Sequence, residues 1–130
     1  MKKYFLIIFT LIICSSCGDD YIEKGIEGQW QMTGMETEDG TVTTVDTVYY
    51  SFKKGVFRYL VLKSAISSTN YMGMYSERND SLYLEMMSDH SIGFSEWGEN
   101  VSSRGYKVER RKSTRMTLNH RDTLYHFRKY

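Results

Sequence analysis

Residues 47–62 read TVYYSFKKGVFRYLVL. Residues 47–52 are β-branched and aromatic, residues 56–62 are again apolar and strand-forming, and Lys53-Lys54-Gly55 parts them. Two such runs around a short break containing glycine predict an antiparallel hairpin. The same grammar repeats outward from it. On the N-terminal side, residues 29–33 (QWQMT) alternate polar and apolar, the period of a half-buried strand. On the C-terminal side, residues 70–77 (NYMGMYSE) and 81–87 (SLYLEMM) flank the turn signal Arg78-Asn79-Asp80. Residues 106–110, 115–119 and 123–130 complete the pattern, the last two joined by His120-Arg121-Asp122.

Eight strands with mostly short connections imply antiparallel neighbours, because a parallel pair needs a crossover of about a dozen residues. A meander of that size disposes of its edges by closing, so the expected fold is all-β, a single antiparallel up-and-down barrel of about eight strands. A two-sheet sandwich is the alternative. The 130 residues suggest one domain, and 25% charged with 41% hydrophobic residues exclude a disordered, collagenous or coiled-coil chain. The longest irregular stretch, residues 88–103 (SDHSIGFSEWGENVSS), reads as a mouth loop or a distorted strand. Alternation points Trp30, Met32, Val48, Tyr50, Phe52, Met72, Met74, Leu82, Leu84, Met86, Val108, Met116 and Leu118 inward.

The first 27 residues stand apart. Met1-Lys2-Lys3 is a basic start, and residues 4–13 (YFLIIFTLII) form an apolar run too short for the roughly 20 residues of a membrane span but suited to a signal-peptide core. A short transmembrane anchor is the competing reading. Cys14-Ser15-Ser16-Cys17-Gly18-Asp19-Asp20 resembles a bacterial lipoprotein signal, in which small residues precede the lipidated cysteine, here Cys17. The Gly-Asp-Asp that follows resembles the acidic export tag of Bacteroidetes surface lipoproteins. Residues 1–16 are then a signal peptide, 17–27 a lipidated tether and 28–130 the barrel. The implied location is the outer membrane, anchored by lipid and displayed at the cell surface. Cys14 and Cys17 are the only cysteines, so the domain after them holds no disulfide and no thiolate metal site.

Gly28-Gln29-Trp30 at the head of the first strand, with an all-strand chain behind it, resembles the lipocalins and the lipocalin-like lipoproteins of Bacteroidetes. The resemblance implies that Trp30 plugs the closed end of the barrel beside a basic residue of the last strand, Arg128 in first place and Lys129 in second. It also implies a small apolar or amphipathic ligand, lined here by Met32, Tyr50, Phe52, Met72, Met74, Leu84, Met86 and Met116. About eight strands enclose just enough room for side chains or for one small ligand. The alternative function is therefore a filled barrel that meets a protein or an anionic glycan through its outer face or loops.

Chemistry is sparse elsewhere. No nucleophile-elbow or phosphate-loop motif occurs, so no enzyme is expected and no cofactor. His120 and His126 flank a turn with Asp122 near them, while His90 lies apart, and isolated surface histidines are the better reading than a metal site. Residues 17–103 carry a net charge of −8 and residues 104–130 one of +7. The basic cluster Arg104, Lys107, Arg110, Arg111, Lys112 and Arg115 lacks the interleaved aromatics of a nucleic-acid surface, Tyr106 apart. Arg110, Arg111 and Lys112 are instead the candidate contacts for an anionic glycan or lipid headgroup, against the plainer reading of outward strand charges.

Overall fold

The computed structural model describes residues 25–87, 92–94 and 97–130, with residues 92–94 and 98–100 described by backbone alone. The tether up to residue 24, including Cys17, and His90 lie outside the described residues.

The strands are β1 (Gly28–Glu36), β2 (Val42–Thr44), β3 (Val48–Lys53), β4 (Val56–Ser64), β5 (Ser67–Arg78), β6 (Ser81–Met86), β7 (Ile92–Phe94), β8 (Gly98–Val101), β9 (Ser103–Arg111), β10 (Arg115–His120) and β11 (Thr123–Lys129). Eight of them, β1, β3, β4, β5, β6, β9, β10 and β11, pair in that order, and β11 returns to β1 antiparallel, so the sheet closes as the sequence predicts. β2 pairs only with the end of β1, and β7 with β8 forms a separate two-stranded ribbon between β6 and β9. That ribbon falls within the stretch read from sequence as a mouth loop or distorted strand.

Local chemistry fixes the turns. Lys54 and Gly55 take positive φ values of 49° and 82°, as do Arg121 and Asp122 at 49° and 64°. Two consecutive left-handed residues make the tight hairpin turn whose twist suits the flanking strands. The Arg121-Asp122 turn lacks glycine, and Asn119 supports it by accepting a hydrogen bond from the Asp122 amide through Oδ1 at 3.1 Å.

Directly paired residues share a face, so the register decides what the barrel encloses. Trp30 opposes Tyr50, Tyr50 opposes Tyr59, and Phe52 opposes Phe57, all buried. Leu82, Leu84 and Met86 enter from β6, Tyr106 and Val108 from β9, Met116 and Leu118 from β10, Tyr125 and Phe127 from β11. On β5 the expectation fails. Phe57 pairs with Gly73 and Tyr59 with Tyr71, which turns the odd-numbered residues inward and leaves Met72 45% and Met74 63% exposed on the outer wall. Hydrophobicity favoured the methionines, but the tyrosines in phase with Gly73 face the core, where Tyr71 and Tyr75 pack against it.

Candidate ligand site in the barrel

The two ends of the barrel differ. At the end where β1 begins, Trp30 is 1% exposed and its indole N–H donates to the Ile26 carbonyl at 2.8 Å. The basic residue over it is Lys129, whose Nζ lies 4.5 Å from the ring centroid, within cation–π range. Arg128, placed there by the sequence reading, is exposed and donates from Nε to Gln31 Oε1 at 2.7 Å. The cause is register: Trp30 pairs with Lys129 and Gln31 with Arg128, so Arg128 shares the outer face with Gln31. Lys129 Nζ also donates to the Glu27 carbonyl, and a Cβ on Gly28 would overlap the Lys129 side chain. Glycine at position 28 thus leaves room for the cation.

The middle of the barrel is aromatic. Tyr50 has ring neighbours in Phe52, Phe57, Tyr59, Tyr106 and Phe127, with centroids 4.9–6.5 Å away. Of the expected lining, Met32, Tyr50, Phe52, Leu84, Met86 and Met116 are all buried in this core, and Met72 and Met74 are not.

Beyond Tyr50 the interior turns polar. Arg104 points inward from β9, opposite Leu84, and is only 8% exposed. Its Nη1 donates to the Tyr125 hydroxyl at 3.2 Å. Its guanidinium carbon lies 5.3 Å from the Trp97 ring centroid and 5.8 Å from those of Tyr106 and Tyr125. The hydroxyls of Tyr50 and Tyr106 are 3.0 Å apart, and Trp97 donates from its indole N–H to the Tyr50 hydroxyl at 3.1 Å. Burial opposes the Arg104 charge, but Tyr106, Tyr125 and Tyr50 more than offset it, so its pKa is raised and the group is a cation at every physiological pH. This end of the interior therefore offers a permanent positive charge amid phenols and an indole, above an apolar floor. Sequence reading counted Arg104 with the basic hairpin. The available signal was phase, because Arg104 alternates with Tyr106 and Val108.

The remaining hairpin cations divide. Arg110 and Arg115 are exposed, and Lys112 is half-buried. Arg111 is buried and forms an ion pair with Glu77 of β5, so it is not part of an anion-binding triplet with Arg110 and Lys112. A bulge is responsible: Arg110 pairs with Thr117 and Val108 with Leu118, leaving Glu109 as the extra residue that turns Arg111 inward. His120 contacts the Gly105 carbonyl through Nδ1 at 2.9 Å, and His126 lies between Thr117 and Glu36 at 3.1 Å from each. Among the described residues, no three potential metal-ligating side chains converge.

The sequence profile of the lipocalin-like domain matches residues 11–130. No functionally curated protein matches the chain. Two solved structures share the fold. One is an uncharacterized protein from Bacteroides eggerthii, 30% identical, with a TM-score of 0.71 over 80% of this chain and 98% of that one. The other is a lipocalin-like protein from Bacteroides uniformis, 27% identical, with a TM-score of 0.71 over 80% of this chain and 97% of that one. The closed eight-stranded barrel and the profile that runs the length of it place the chain in the lipocalin-like domain family.

Proposed function

We propose that this protein is a lipid-anchored binding protein of the cell envelope, and that its barrel takes a small amphipathic ligand with the polar end against Arg104. A lipocalin-like barrel suggests ligand binding in general terms. The observation that carries the finer assignment is the buried Arg104 cation between Trp97, Tyr106 and Tyr125. Desolvated guanidinium and phenol groups are strong donors to a carboxylate or a phosphate, and charge-assisted hydrogen bonds of this kind are roughly twice as strong as neutral ones. Binding, and not catalysis, is the assigned role. The anchor is Cys17, which follows the apolar run and two serines, and the location is the outer membrane, facing outward.

Titrating the full chain with dodecanoate and with dodecanol, and following tryptophan emission, tests the ligand site. Dodecanoate saturates the signal with higher affinity than the alcohol, and Arg104→Met removes that preference. Equal affinities in the unsubstituted protein refute the Arg104 assignment. Cys17→Ala abolishes palmitate incorporation if Cys17 is the lipidated residue, and label retained in that variant refutes the anchor.

The packing around Tyr50 favours a second reading, a filled barrel whose outer face or loops meet a protein or glycan. Native mass spectrometry of the protein taken from its own cells separates the two: a bound small molecule supports the first, and the bare protein mass supports the second.

A further inference from the structure

The barrel sorts charge along its axis. At the end plugged by Trp30 lie Lys53 at the end of β3, Lys54 in the β3–β4 turn and Arg78 at the end of β5. Arg110, Lys112 and Arg115 surround the β9–β10 turn at that end, and Arg128 stands near the end of β11. Of the acidic residues there, Glu77 is engaged by Arg111, Glu109 by Lys107 and Asn119, and Glu27 accepts a hydrogen bond from the Lys54 amide, while Asp80 in the β5–β6 turn is exposed, so the cations at this end outnumber the carboxylates. The opposite end carries Glu36, Glu38, Asp39, Asp46 and Asp122 against Lys63 and Arg121 among the described residues. Alternating hairpins produce this polarity, because β3–β4, β5–β6 and β9–β10 all turn at one end while β4–β5 and β10–β11 turn at the other.

The basic end also has an apolar flank. A cleft of about 310 Å³ on the outer wall is lined by Ser51, Phe52, Lys53, Val56, Arg58 and Met72. Val56 pairs with the exposed Met74, and the Met87 amide bonds the Met72 carbonyl, so exposed apolar side chains lie beside the cations and end at Glu85, the partner of Met74 on β6.

We infer that this end is a docking surface for an anionic lipid headgroup layer, with the acidic end and the Arg104 side of the barrel turned away from it. Clustered Lys and Arg next to exposed apolar groups match phosphate headgroups over an acyl boundary. Geometry adds a second argument. β1 begins at this end, and Gly25 lies only eight residues after Cys17, which places the proposed anchor within roughly 29 Å of it at full extension. That second argument rests on the proposed anchor, and the charge distribution stands without it.

Amine labelling of the full chain reconstituted in vesicles tests the surface. Vesicles of phosphatidylcholine alone are compared with vesicles containing one quarter phosphatidylglycerol, and labelled lysines are read by mass spectrometry. Labelling of Lys53 and Lys54 falls about fivefold on the anionic vesicles, the attraction expected for a basic residue at such a surface. Lys63 labels equally on both, and the protection disappears near 1 M salt, where the Debye length is about 3 Å. Equal labelling of Lys53 and Lys54 on the two vesicles overturns the inference, as does protection of Lys63. A soluble heparin fragment that protects these lysines when anionic vesicles do not overturns it in favour of a glycan. The mass of the peptide containing Cys17 reports the anchor separately, so an unmodified Cys17 with protected Lys53 and Lys54 removes the anchor and leaves the surface.

Discussion

Lys129 Nζ sits 4.5 Å above the Trp30 ring, joining the last strand to the first at the plugged end of the barrel. The contact closes the barrel in two senses: it lies on the β1–β11 seam, and it covers the aromatic floor. Trp30→Ala costs about 3–5 kcal/mol, as for other buried large aromatics. Lys129→Met costs about 0.5–1 kcal/mol, the range of an exposed cation–π contact. Arg128→Met costs about 0.5–1.5 kcal/mol, the net value of its hydrogen bond to Gln31. Urea unfolding of the three variants checks these values, and a Trp30→Ala loss no larger than that of either cation contradicts them.

Arg111 and Glu77 form a second tie, an ion pair between β9 and β5, the two strands that flank β6. Arg111→Ser leaves Glu77 without this partner in a site where its side chain is 29% exposed, and the loss is about 1–3 kcal/mol. Arg111→Met combined with Glu77→Leu recovers most of it, because neither charge then remains. If the double variant is as unstable as the single one, the pair is not what holds the two strands there.

His120 supplies a pH dependence. Burial lowers its pKa below the ordinary 6.5, and the nearby Arg104 and Arg121 charges add to that against the opposing bond to the Gly105 carbonyl. The unfolded chain therefore binds the proton more readily than the folded one. The His120 contribution is present above pH 6.5 and is lost as the pH falls from there through the lower folded value. Chemical unfolding followed from about pH 7.5 down to about pH 5, on either side of the ordinary histidine value, shows a decline that His120→Gln makes shallower. Parallel curves for the two proteins would exclude this histidine as the source.

Gly73 is held by backbone. A Cβ there would come within 2.1 Å of the Glu85 carbonyl oxygen, and backbone cannot move aside as a flexible side chain can. Gly73→Ala costs about 1–3 kcal/mol, the range of overpacking. Met74→Gln, one residue along and 63% exposed, changes stability by less than about 0.5 kcal/mol. A reversed order in denaturant midpoints would put Met74 inside the barrel.

Sequence alone determined the eight strands of the barrel wall, though not the short β2, because turn chemistry and side-chain alternation act over a few residues. The breaks at Lys54-Gly55, Asn79-Asp80 and Arg121-Asp122 mark hairpin turns of the barrel, and Tyr50, Leu82, Leu84 and Leu118 are buried as their phase implies. Their number and short connections were enough for closure. Tertiary structure decided which residue faces which wherever that depended on a partner strand. Alternation would carry Arg104, Tyr106 and Val108 on to Arg110, yet the bulge at Glu109, a property of the β9–β10 pairing, puts Arg111 inside instead. The choice between Lys129 and Arg128 over Trp30 was set by register across a separation of about a hundred residues, which no local pattern encodes. Met72 and Met74 lost the interior because β5 takes its phase from Phe57 and Tyr59 of β4. A strand's two faces are fixed relative to each other by its own backbone, and which of them meets the core is fixed only when the neighbouring strand docks.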